Sequence, residues 1–135
     1  MIEQKKNPFA RYILLSNGII DIFAAISLFF PVFKLPLPGY TSYSAQLSFI
    51  AGGWGIAALT FGIGRIWTSY KSEFYWVMVI LGLVEGMTLS LFCLINVIFL
   101  DMSWLQVMLP FSVGSVFGIL YFVSLIALVR LKRLE

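Results

Sequence analysis

Histidine is absent from these 135 residues, and Cys93 is the only cysteine. Those two absences exclude disulfides, iron–sulfur clusters, histidine-ligated haem and the usual zinc sites, so no metal and no cofactor is assigned. A lone cysteine inside an apolar run reads as a small packing residue. Charge is scarce as well. Nine Lys or Arg and six Asp or Glu make up 11% of the chain, against about a quarter in a soluble domain. The basic residues form no continuous stripe, so the net charge of +3 gives no reason to invoke nucleic acid. Phosphate-loop chemistry is missing too: Gly52-Gly53-Trp54-Gly55 lies inside an apolar run and lacks the following Lys and Ser/Thr. Without a nucleophile–base pair there is no catalytic residue to name, and the pattern favours a non-enzymatic role.

Apolar side chains are what the chain has instead, at 61% of residues, with a mean hydropathy of +0.98. About 20 consecutive apolar residues cross a bilayer as a helix, and four such runs are present, at about 9–30, 44–67, 74–100 and 104–129. Each must satisfy its own backbone hydrogen bonds in lipid. The expected fold is therefore all-α: a polytopic four-transmembrane-helix bundle, one integral membrane domain over 1–135. The first run follows Lys5 and Lys6 as a signal peptide would. It is too long for one and contains Asn17 and Asp21, so it reads as a retained helix.

Orientation follows from the positive-inside rule. The N-terminal side carries Lys5, Lys6 and Arg11, the loop between the second and third spans is read as carrying Arg65 and Lys71, and the C-terminal tail carries Arg130, Lys132 and Arg133. Eight of nine basic residues thus fall on one side, with Lys34 alone on the other, and both termini are expected in the cytoplasm. Trp67, Tyr70, Tyr75 and Trp76 would mark the inner interface, and Tyr40, Tyr43 and Trp104 the outer. The outer connection through Pro36, Pro38 and Gly39 is expected to be stiff and extended, either a cap on the bundle or a spacer.

Small residues let membrane helices approach closely. Helix 2 carries Ala51, Gly55, Ala58 and Gly62, helix 3 Gly82, Gly86 and Ser90, helix 4 Gly114 and Gly118. Against this background, two acidic residues stand inside the spans: Asp21 in the first and Glu85 in the third. Ten residues at about 1.5 Å each put Glu85 roughly 15 Å deep, near the middle of the hydrocarbon, and Asp21 at similar height. Asn17 lies one turn from Asp21, Thr88 follows Glu85 by three, and Trp54 and Tyr121 come to about the same level. These six define an expected buried midplane layer.

With no Lys, Arg or His read inside the spans, a charged carboxylate there would cost about 2.5–3.5 kcal/mol. Asp21 and Glu85 are then expected to be protonated, to share a proton or to bind a cation. Three roles fit. The layer can be a hydrogen-bonded cluster fixing helix pairing, as in an accessory or structural subunit. It can be a binding site for a small lipophilic or cationic ligand. Alternatively, Asp21 and Glu85 can serve proton-coupled transport of a small molecule or cation. Possible partners beyond the bilayer are a larger membrane complex or further copies of the chain.

Arg11, Gly18, and the run from Ala51-Gly52-Gly53 through Gly62-x-Gly64-Arg65 give the chain a resemblance to the DoxX-like superfamily of small four-helix bacterial membrane proteins. It covers about half the chain. It implies a bacterial cytoplasmic membrane and an accessory or ligand-binding role, and it transfers no catalytic residue. Small multidrug-resistance transporters are similar in size and carry an intramembrane Glu in their first helix. This chain has Asp21 in that helix, so the motif departs from theirs.

Overall fold

The computed structural model describes residues 7–35 and 44–132. Four helices account for nearly all of them: α1 Pro8–Leu28, α2 Ala45–Thr68, α3 Tyr75–Phe99 and α4 Trp104–Lys132, with a short 3-10 helix at Ser72–Phe74 leading into α3. All four are long and apolar enough to cross a membrane, and there is no strand among the described residues. The chain is a small all-α integral membrane protein. Lys5, Lys6, Arg133 and the expected stiff segment through Pro36, Pro38 and Tyr43 lie outside the described residues.

Local chemistry sets the helix ends. Asn7 starts α1: its side-chain oxygen accepts from the amides of Phe9 (3.1 Å) and Ala10 (3.4 Å), and Pro8 occupies the first turn, where a missing N–H costs nothing. Ser44 caps α2 by accepting from Leu47 N at 3.1 Å. Two exits use positive φ at a non-glycine residue, Lys34 (58°) after α1 and Asp101 (50°) after α3. Both follow helices with no glycine at the stop.

The bundle is built as two antiparallel hairpins, α1–α2 and α3–α4. Contact is extensive within each and sparse between them. Glycine sets the closeness of each crossing. A Cβ at Gly18 would stand 2.9 Å from the Gly62 carbonyl oxygen, and one at Gly86 would stand 2.7 Å from that of Gly114. Neither space exists for a side chain. The core that joins the hairpins lies at one end, where α1 begins and α4 finishes: Ala10, Ile13, Leu14, Tyr75, Val79, Phe117 and Tyr121. At the same end Tyr75 Oη donates to the Ser69 carbonyl at 2.9 Å, tying the start of α3 to the exit of α2. We call this the closed end. At the opposite end the large side chains Phe23, Phe33, Phe49 and Ile98 all face outward.

Candidate functional site

Each helix contributes to one polar network just above the closed-end core, and in each the polar residue follows a glycine by three. The pairs are Gly18 and Asp21, Gly62 and Arg65, Gly82 and Glu85, and Gly118 and Tyr121. Residues i and i+3 share a helix face. The glycine therefore brings a neighbouring helix close on the face where the polar side chain enters. At the α1–α2 crossing a Cβ on Gly62 would stand 3.1 Å from Asp21 Cβ, and one on Gly18 would stand 3.1 Å from Arg65 Cβ. In the second hairpin the Tyr121 ring lies over Gly82, filling the space that a side chain there would need.

Arg65 is the hub. It leaves α2 three residues before the helix ends, and its long stem carries the guanidinium inward. Its side chain is 1% exposed. Nη1 donates to Asp21 Oδ2, and Nη2 donates to Glu85 Oε2. The groups facing this side of the Asn17 amide are all donors, which assigns its oxygen to that side; so oriented, it accepts from Arg65 Nη1 (2.7 Å) and Nε (3.0 Å) as well as from Tyr121 Oη (3.2 Å). The aromatic rings of Phe61 and Tyr121 lie 5.6 and 5.9 Å from the guanidinium carbon, within cation–π range. Four hydrogen bonds from a group with five N–H donors leave Arg65 almost fully partnered.

This overturns one expectation and with it the charge argument. Arg65 is a helical residue turned to the interior, not a loop residue at the cytoplasmic face, so a cation does lie between the carboxylates. Asp21 and Glu85 meet through its guanidinium, and neither needs a shared proton to be tolerated. The sequence held a usable signal: Trp67 and Tyr70 follow Arg65, so the interfacial aromatics lie beyond it and Arg65 falls on the apolar side of them.

Of the six residues expected in one layer, four come together around Arg65: Asn17, Asp21, Glu85 and Tyr121. Two do not. Trp54 is 56% exposed on the outside of α2. Thr88 is exposed and folds its hydroxyl back onto its own helix, donating to the carbonyls of Val84 (2.8 Å) and Glu85 (3.1 Å). Trp54 also lies further toward the opposite end, since its neighbour Gly55 packs on Ala25 and Phe29 whereas Gly62 packs on Gly18 and Asp21, and Thr88 stands one turn beyond Glu85 on the open side of the network.

The layer is also less buried than expected. Asp21 is 14% exposed but Glu85 43%, so Arg65 is the buried charge and Glu85 forms the open edge of the network. One cation and two carboxylates leave it one negative charge in excess when all are ionised. Among the described residues no group of three His, Cys, Asp or Glu could hold a metal ion. No protein-family model, no curated protein and no solved structure matches this chain.

Proposed function

We propose that this small integral membrane protein is a non-catalytic binder of lipophilic molecules, which holds a polar head against the Glu85 edge of the Arg65 network. The observation that carries this reading is the 43% exposure of Glu85 ten residues into α3. About 15 Å along a span, a half-exposed carboxylate faces hydrocarbon. Such intramembrane ionisable groups are costly unless something polar covers them. Asp21, Asn17 and Tyr121 each have a partner inside the network and lie deeper than Glu85, so the exposed edge is where a ligand head would be recognised. The resemblance to DoxX-like proteins fits the same place, since Gly18, Gly62 and Arg65 are among the residues that carry it and all three meet at the network. We place the protein in a bacterial cytoplasmic membrane with both termini, and hence the closed end, on the cytoplasmic side.

A second reading, an accessory subunit, is favoured by the outer face of α2. Gly53 and Ala57 are exposed there, and nothing lies within 4 Å of a Cβ at Gly53. Helices pack closely on such surfaces, and a partner helix could then cover Glu85. Proton-coupled transport is the remaining alternative, because an excess of one carboxylate can take up one proton.

Native mass spectrometry of the protein released gently from its own membrane separates these readings. A monomer or small homo-oligomer carrying a small molecule, lost in Glu85→Gln, is the expected result. A defined hetero-complex with no small molecule would replace the binding reading with the subunit one. A bare protein that catalyses proton flux when reconstituted, and loses it in Glu85→Gln, would replace it with transport.

A further inference from the structure

From the charge balance of the network, we infer that the head it accepts is cationic: an organic ammonium on a hydrocarbon tail. This rests on the binding reading above and narrows it to one class of ligand.

The donors decide against an anionic head. Arg65 is the one basic residue in the network, and its N–H groups already point at Asp21, Asn17 and Glu85. An incoming phosphate or carboxylate would have to displace one of these acceptors and would raise the excess negative charge from one to two. The acceptors favour a cation. Glu85 uses Oε2 for Arg65, and among the described residues its Oε1 accepts no hydrogen bond. A cation at Glu85 cancels the surplus charge in a low-dielectric setting, where an uncompensated charge costs most.

Geometry argues for an organic cation rather than a metal ion. Calcium takes six to eight oxygen ligands and magnesium demands near-octahedral coordination. Here both carboxylates are already held by the guanidinium, and the nearest hydroxyl on α3, that of Thr88, is folded back onto carbonyls. A quaternary ammonium, which has no N–H to satisfy, needs only a carboxylate and an aromatic face. Phe61, whose ring packs beside Arg65 and whose side chain is exposed, supplies that face. Leu81 and Val84, exposed on the turn below and beside Glu85, offer the apolar surface for a tail.

The test uses the full chain in lipid nanodiscs, with empty nanodiscs as the partitioning control. Three probes share one tail: octyltrimethylammonium, 1-octanol and octyl sulfate. The ammonium carries its charge at every pH. We expect it to bind saturably, one per chain, at least tenfold more tightly than either of the others. It should lose at least tenfold in both Glu85→Gln and Asp21→Asn, because either change removes the surplus charge. Labelling the phenylalanine rings and following Phe61 by NMR locates the ammonium on the unaltered protein should the variants not fold. Equal or tighter binding of octanol or octyl sulfate overturns the cationic assignment and leaves the lipophilic-ligand reading standing. Ammonium binding that ignores both substitutions and leaves Phe61 unmoved overturns the site. Absence of saturable binding by all three probes overturns the ligand reading itself.

Discussion

Replacing Arg65 with methionine isolates the energetic role of the network. Methionine retains much of the aliphatic stem, so packing changes little while the guanidinium is removed. What is left is Asp21 at 14% exposure with no counter-charge, and Asn17 without the two guanidinium bonds at 2.7 and 3.0 Å. Breaking a buried ion pair by removing one partner costs about 3–5 kcal/mol. Glu85, at 43% exposure, adds less than a fully buried partner would. We therefore expect a loss of about 3 kcal/mol, more than a hundredfold in the folding equilibrium. Reversible unfolding in mixed micelles by added dodecyl sulfate, followed by the fluorescence of the four tryptophans, measures it directly. The decisive comparison is the charge-free triple variant Arg65→Met, Asp21→Asn, Glu85→Gln. Replacing all partners together strands no charge, so it should return to within about 1.5 kcal/mol of the parent. A single variant within about 0.5 kcal/mol of the parent, inside the usual range for a surface change, would refute the reasoning. So would a triple variant as unstable as the single.

Gly86→Leu should separate α3 from α4, since even a Cβ there would stand 2.7 Å from the Gly114 carbonyl oxygen; overpacking of this kind costs about 1–3 kcal/mol, visible as a lower melting temperature in detergent. Tyr121→Phe removes the 3.2 Å bond to Asn17 and should cost about 1 kcal/mol in the same unfolding assay. Thr88→Val, by contrast, should stay within about 0.5 kcal/mol, because that hydroxyl serves only its own helix. Topology is checked in a Cys93→Ala background: cysteine placed at Lys71 should react with a membrane-impermeant maleimide only after the cytoplasmic face is exposed, and cysteine at Asp101 in intact cells. The reverse pattern would invert the bundle.

Most of the architecture was legible because hydrophobic length is a strong signal: four apolar runs of membrane-spanning size leave few other folds. The site was legible by depth and not by rotation. Asn17, Asp21, Glu85 and Tyr121 were found by counting residues along helices, and the same count brought in Thr88, whose hydroxyl serves its own helix, and Trp54, which faces outward about two turns from the Gly62 crossing. Arg65 was assigned to the loop after α2 because the positive-inside rule weighs basic residues near a span end without asking where a long side chain points. The glycine three residues before each of the four network positions was a rotational marker available in the sequence. It separates Asp21, Arg65, Glu85 and Tyr121 from Trp54, whose position three residues back is Ala51.

The division of charge between the two hairpins bears on how the protein reaches the membrane. Chains emerge N-terminus first, so α1 and α2 are available before α3. Asp21 and Arg65 both belong to that first pair and neutralise each other across the Gly18–Gly62 contact. The leading hairpin can therefore enter lipid as a self-compensated unit, with the insertion penalty of about 2.5–3.5 kcal/mol per charge met within it. Glu85 arrives on the second hairpin without a cation of its own. Its partner is waiting on α2, so the last carboxylate to enter the bilayer is also the one that draws the two halves of the protein together.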